Sequence, residues 1–280
     1  MIVSVIGLGL IGGSIALDLK AAGYCTRIIG IDTSSVNAQR ALKLKLADNI
    51  CGLEDAVRKS KLIIIATPVD AATQILSQVM DLIENQTVID VGSTKTDIIK
   101  TASEKPNRGR FVATHPIWGT ENSGPEAAMK GRLKGNITVI CNPQESDADA
   151  LRTTEQMYEC LGMKTIYMEA EEHDLHTAYV SHISHVTSYA LALSVLAKEK
   201  ETDTIFQLAG AGFESAVRLA KSSPDMWTPI FRQNRSNILD VLNEQIHQLN
   251  LIKDLLEKEE YKKIYDLLTY ANEIRKIFNK

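Results

Sequence analysis

The chain has 280 residues, more than one small core accounts for and the right length for two domains of ordinary size. Hydrophobic residues make up 44% and charged residues 24%, an ordinary soluble composition, and a net charge of −4 leaves no basic field to hold nucleic acid or an anionic membrane. An anionic substrate must then be captured by a few local cations, so individual arginines matter.

Cys25, Cys51, Cys141 and Cys160 are scattered without a CxxC pair, the usage of a reduced compartment. The apolar N-terminus has no Lys or Arg before it and is interrupted by Gly7, Gly9, Gly12 and Gly13, unlike a signal peptide. No stretch free of charges and breakers approaches the length of a membrane span. The expected location is the cytoplasm.

Residues 2–6 form the first predicted strand and end on Gly7-Leu8-Gly9-Leu10-Ile11-Gly12, a GxGxxG that opens a helix over 12–22. Gly7 permits the tight turn, Gly9 lets the backbone approach a pyrophosphate, and Gly12 lets helix pack on strand. The free N–H groups of that helix start, with Leu10 and Ile11 in the loop, face the phosphates. A second strand over 27–31 is closed by Asp32, about twenty residues beyond Gly12, where an acid binds ribose hydroxyls and repels a 2′-phosphate. Thr33, Ser34 and Ser35 add no arginine, so NAD is expected over NADP. A glycine-rich turn without a ligand is the alternative.

Strands are predicted over 62–66, 87–91, 111–113, 137–140 and 165–168, with helices such as 71–83 and 147–160 between them. The alternation implies an α/β domain over 1–168, a mostly parallel Rossmann-type sheet with helices on both faces. Thr67 and Pro68 leave the third long strand, where carboxyl ends line a ligand crevice; an ordinary strand-ending proline reads the same way. Beyond 168 the strand signal stops. Helical patterns cover 171–198, 224–258 (broken near its start) and 261–278, so 169–280 reads as an all-α domain. Phe231, Ile238, Val241, Leu242, Ile246, Leu249, Ile252 and Leu256 keep a helical period with little bulk beside them. A homodimer through this half is expected, with intrachain packing as the alternative.

Unusual polar residues gather at two strand ends and on one helix: VGSTK from Val91, HPIWGTENSG from His115, and SHISH from Ser181. Together with GLGLIGGS, with Gly210-Ala211-Gly212-Phe213 leading to Arg218, and with Pro224-Asp225-Met226-Trp227, these resemble the prephenate dehydrogenase family over nearly the whole chain. The resemblance implies a dinucleotide-binding domain followed by a helical dimerisation domain, NAD(P), and prephenate or arogenate as the small-molecule substrate. The implied reaction oxidises and decarboxylates prephenate to 4-hydroxyphenylpyruvate, in tyrosine biosynthesis; arogenate, giving tyrosine directly, is the alternative. The family pattern departs at Ser184, where proline is usual, and at Ser215 and Val217, where Asp and Thr are. A separate regulatory domain is not expected in the remaining length.

On this reading His115 takes the proton of the ring hydroxyl, since a histidine near its ordinary pKa suits a base at neutral pH. The resemblance places Ser93 and Ser181 as residues orienting His115 or the hydroxyl, against a helix cap and a solvated residue as the plainer readings. It also puts Thr120, His182 and His185 on the substrate. Arg218 would grip a carboxylate with its planar fork, against a surface salt bridge. His173, His176, His182 and His185 invite a metal reading. At about 100° per residue, His173 and His182 face opposite sides of a continuous helix, as do His176 and His185, so no metal is expected. A 3-hydroxyacid dehydrogenase shares the domain plan, but resemblance to 3-hydroxyisobutyrate dehydrogenase would require a lysine on the helix over 171–197, and there is none.

Overall fold

The computed structural model describes residues 1–202 and 204–278. The chain divides into two compact units, Met1–Arg235 and Ser236–Lys280. The larger unit is built on one sheet of eight strands: β1 (Ile2–Ile6), β2 (Arg27–Ile31), β3 (Asn49–Ile50), β4 (Leu62–Ile65), β5 (Thr87–Asp90), β6 (Phe111–Pro116), β7 (Ile137–Cys141) and β8 (Lys164–Met168). Their order across the sheet is β3-β2-β1-β4-β5-β6-β7-β8, parallel throughout except for the antiparallel pair β6–β7. The chain moves outward one way from β1 to β3 and then the other way from β4. The carboxyl ends of β1 and β4 therefore flank the point where the winding reverses, the place such sheets bind ligands.

Strands covered on both faces need unbroken apolar runs, and β4 (Leu-Ile-Ile-Ile) is buried at every position. Its period of two sorts those side chains between two cores. Leu62 and Ile64 join Val3, Val5, Ile15, Leu19, Ile28 and Tyr158 on one face, while Ile63 and Ile65 join Leu76, Val79, Met80, Val88 and Phe111 on the other. Deleting such a side chain to alanine costs about 2–5 kcal/mol, so these two layers hold the strand ends in register.

The helices of this unit are α1 (Leu10–Ala21), α2 (Ser35–Lys43), α3 (Leu53–Lys59), α4 (Val69–Leu82), α5 (Thr96–Ser103), α6 (Ala148–Cys160), α7 (Ala170–Thr177), α8 (Ile183–Thr202), α9 (Ala211–Val217) and α10 (Pro224–Gln233). The sequence reading missed β3, which is two residues long, and gave no helix at α2, α3 or α5, all shorter than ten residues. The predicted continuous helix over 171–198 is divided: a π-helical turn over Ala178–His182 separates α7 from α8. One extra residue per turn rotates everything beyond it, so the angular argument that set His182 opposite His173 does not hold here.

Ala170–Lys200 is long and apolar enough to cross a bilayer by length and composition, where the sequence reading expected no such stretch. Residues 178–197 carry no Asp, Glu, Lys or Arg, because serine, threonine and histidine supply the polarity instead. A single helix of this kind is weak evidence for a membrane. In the smaller unit α11 (Arg235–Glu257) and α12 (Tyr261–Ala271) leave Leu249, Leu256, Tyr261, Tyr265 and Leu268 exposed.

Candidate active site

The glycine loop is forced by contact. Gly7 has φ +92°, and a Cβ there would lie 2.5 Å from the Ala66 carbonyl oxygen; at Gly12 it would lie 2.1 Å from the Gly7 oxygen. Gly9 faces open space. The first bond within α1 runs from Gly13 N to Gly9 O, so the N–H groups of Leu10 and Ile11 precede it and no side chain caps them. The Asp32 carboxylate is oriented at the end of β2 by Leu8 N (3.3 Å) and Ser34 N (2.9 Å). Thr67 Oγ1 and Ser93 Oγ are buried without a hydrogen-bond partner among the described residues. A turn with room for backbone approach, an unpaired helix start, an oriented acid and the waiting Thr67 hydroxyl fit a dinucleotide.

The segment beyond β5 is pinned from beneath. Asp90 accepts from the fully buried Lys95 ammonium, from Gly92 N at 2.9 Å and from Thr114 N at 3.2 Å, while Lys95 Nζ also donates to Thr114 O at 2.7 Å. Val91–Thr94 is thereby tied to the strand that delivers His115. Ser93 does not cap α5, whose N-cap is Lys95. The start of α5 is held by another helix: Asp174 accepts from Lys95 N (2.8 Å), Thr96 N (2.9 Å) and Thr96 Oγ1 (2.6 Å).

His115 lies at the end of β6, half-buried, with Nδ1 2.8 Å from Nε2 of the buried His173. His173 Nδ1 lies 2.8 Å from Asp174 Oδ1. Burial first, then His173, Lys95 and His182, hold the His115 pKa well below the ordinary histidine value. Burial also lowers His173 against the pull of Asp174, and takes His182 down to about 4. Burial alone would raise Asp174, but bonds from His173 and Thr96 outweigh it and keep the carboxyl low. All three histidines are thus neutral at neutral pH.

The π-helical turn sets His182 inward, where Nδ1 lies 3.0 Å from Asn234 Nδ2. That same nitrogen donates to the Asp174 carbonyl at 2.6 Å, so Asn234 presents its NH₂ side and His182 Nδ1 must accept. His182 Nε2 then carries the hydrogen, and it is buried without a partner among the described residues. Ser181 contributes its carbonyl oxygen to His185 Nδ1 at 3.1 Å. That leaves His185 Nε2 as an acceptor, with the ring stacked on Trp227 at a centroid distance of 3.4 Å. Ser184, in place of proline, donates its hydroxyl to the Val180 carbonyl at 3.3 Å and is accommodated in the turn.

Arg218, half exposed, pairs with Glu121 at 3.0 Å beside a cavity of about 310 Å³ that Ser215, Glu214 and Lys221 also line. Ser188 on α8 steadies this corner by donating to Ala216 O and accepting from Ala220 N, both at 3.0 Å. Val217 ends α9 immediately before Arg218. Thr120 Oγ1 accepts from Asn122 N at 3.2 Å and shapes the loop that carries Glu121. A larger depression of about 770 Å³ between α3 and α4 contains none of these residues.

Sequence reasoning assigned no role to Asp174, Asn234, Lys95, Asp90 or Trp227, and it took His173 only as a rejected metal ligand. The adjacency of His173 and Asp174, with Lys95 inside VGSTK, was visible. Their meeting across 79 positions was not.

A reversing parallel sheet, a dinucleotide loop and a neutral histidine at a neighbouring strand end define a nucleotide-dependent oxidoreductase. The chain belongs to the prephenate dehydrogenase family. Residues 15–167 match the family's nucleotide-binding domain and 169–270 its dimerization domain. It is 33% identical to prephenate dehydrogenase of Bacillus subtilis (strain 168), over 96% of this chain and 74% of that one. It is 31% identical to cyclohexadienyl dehydrogenase of Zymomonas mobilis, over 92% and 89%. Prephenate dehydrogenase from A. aeolicus, solved in complex with hydroxyphenyl propionate and NAD+, superimposes with a TM-score of 0.91 at 27% identity, over 98% of this chain and 97% of that one.

Proposed function

We propose that the protein oxidises and decarboxylates prephenate to 4-hydroxyphenylpyruvate and CO₂, with NAD as the hydride acceptor. The observation that carries this is His115, a neutral imidazole at the end of β6, on the strand that the Asp90–Lys95 tie joins to the segment carrying Ser93, whose hydroxyl is buried without a partner among the described residues. When bound, NAD would supply the acceptor for the hydride on the ring carbon that bears the 4-hydroxyl. His115 accepts the hydroxyl's hydrogen bond and its proton, and Ser93 and Ser181 orient that pair. Loss of the ring carboxylate as CO₂ leaves its electrons in the ring, which becomes aromatic, and the proton returns to the phenolate oxygen. Arg218 holds a substrate carboxylate, and Thr120, His182 and His185 shape the side-chain end of the pocket. Gly7, Gly9, Leu10, Ile11, Gly12, Asp32, Thr67 and Pro68 hold the dinucleotide.

We place the domain boundary at 168/169, where the two family matches meet, and propose a homodimer through the second domain, working in the cytoplasm. The dimerization match and exposed apolar side chains such as Leu193, Leu196, Leu249 and Leu256 support it. The test of function is NAD(P)H formation by purified protein with prephenate or arogenate and NAD or NADP in every pairing. Turnover of prephenate with NAD is expected. Silence in all pairings by protein that binds NAD would remove the proposal.

A further inference from the structure

Behind His115 lies a chain of hydrogen bonds that the reaction as described does not use. Asp174 is held ionised by Lys95 N, Thr96 N and Thr96 Oγ1, so it has no proton to give. At the 2.8 Å contact His173 must therefore donate from Nδ1 to the carboxylate. A neutral imidazole protonated on Nδ1 has a bare Nε2, which accepts from His115 Nδ1. His115 is then left with its lone pair on Nε2. The direction of every bond follows from the one fixed acid at the end.

We propose that Asp174 and His173 form a relay behind His115, which locks His115 in the tautomer that exposes Nε2 and accepts its Nδ1 proton as the substrate hydroxyl is deprotonated. The step balances. Nε2 of His115 gains the hydroxyl proton while the Nδ1 proton passes to His173 Nε2, and the positive charge comes to rest on His173 against Asp174. When the ring aromatises both protons retrace their path, and the phenolate oxygen regains its own. The relay answers a physical difficulty at this site. Burial and the Lys95 ammonium make an imidazolium at His115 costly, so a base with nothing behind it would be weak there. Moving the charge one ring away pairs it with a carboxylate. Lys95, Asp90 and His182 are the other titratable groups around the pair; Lys95 is paired with Asp90 but still opposes a positive charge on either ring, and at His173 Asp174 acts against it. His173 and Asp174 are positioning residues, since neither touches the substrate in this account.

The inference rests on the function proposed above, and it is tested in part without turnover. Nitrogen-15 NMR of the imidazoles in unliganded protein at neutral pH should show both His115 and His173 protonated on Nδ1. His115 protonated on Nε2 would overturn the relay whatever the enzyme does. His173→Ala should lower kcat by about 10²–10⁴, the scale of a lost tautomer lock, with both KM values within about threefold of wild type. His173→Gln offers a carbonyl that accepts from His115 but takes no proton. It should restore the Nδ1–H tautomer and only part of kcat, and it serves if the alanine variant does not fold. Folded variants with kcat within threefold of wild type would overturn the relay. A wild type silent with prephenate and arogenate would instead overturn the assigned reaction and leave the NMR to decide the tautomers.

Discussion

Arg218 reaches across 97 positions of sequence to pair with Glu121 at 3.0 Å, and with half its surface exposed it is a cation held ready. An exposed ion pair is worth about 0–1 kcal/mol, so a substrate carboxylate can displace or share this partner at little cost. A charge-assisted, two-pronged bond to the substrate is worth about 1.5–3 kcal/mol. Arg218→Ala is therefore expected to raise the KM for prephenate roughly 10- to 150-fold while the KM for NAD and the thermal midpoint stay nearly unchanged. Equal changes in both KM values would take Arg218 off the substrate.

Asp32 is aimed by two backbone N–H groups, at 3.3 Å from Leu8 and 2.9 Å from Ser34, so its carboxylate has a fixed place at the end of β2. A fixed negative charge there accepts from ribose hydroxyls and repels a 2′-phosphate. Asp32→Asn keeps an acceptor for one of those N–H groups and removes the charge. The ratio of kcat/KM for NAD over NADP should fall by at least about tenfold, a change of roughly 1.4 kcal/mol. An unchanged ratio in steady-state assays would place cofactor choice elsewhere.

The parts of this molecule that were legible in the sequence are those governed by local physics. The branched runs of β1, β4 and β5, the glycine spacing after β1 and the acid after β2 act within a few residues or over one βαβ unit. Of the three motif segments that mark the candidate site, two leave strand ends, where chemistry tends to be carried. What stayed hidden was long-range or depended on one helical register. Lys95 reads as a surface residue until Asp90 and the Thr114 carbonyl are seen to enclose it. Asp174 reads as one more helix acid until α5 is found starting on it. The π-helical turn leaves no mark in hydrophobic period, and a steady rotation per residue set His182 on the wrong side of its helix.

The buried pair of Asp90 and Lys95 permits a sharp stability test. Lys95→Met leaves a carboxylate enclosed without its cation, which costs about 3–5 kcal/mol in urea unfolding at neutral pH. Adding Asp90→Asn removes the stranded charge, so the double variant is expected to recover part of the loss. The single variant has a second signature. Burial already raises the Asp90 carboxyl with Lys95 in place, and loss of the ammonium raises it further, so the penalty against wild type should shrink as pH falls and the variant's carboxyl takes up a proton first. A penalty that is the same at pH 5 and pH 8, with no recovery in the double variant, would mean the pair does not hold this corner.

Stability should fall with acid because of the buried histidines, and His182 sets the size of the effect. In the unfolded chain it titrates near 6.5, whereas burial takes it to about 4 in the fold. Below 6.5 the unfolded state therefore binds a proton that the folded state refuses. The contribution of the neutral ring is complete above that value and is lost as pH falls towards 4. By pH 5 the loss from His182 alone is roughly 2 kcal/mol, with a slope near 1.4 kcal/mol per pH unit. His115 and His173 are shifted the same way by burial and add to it. His182→Gln keeps an oxygen to accept from Asn234 and does not titrate, so its stability between pH 5 and 6 should fall about one proton's worth less steeply than wild type. Parallel curves from urea unfolding of the two proteins would show that His182 is not held neutral by the fold.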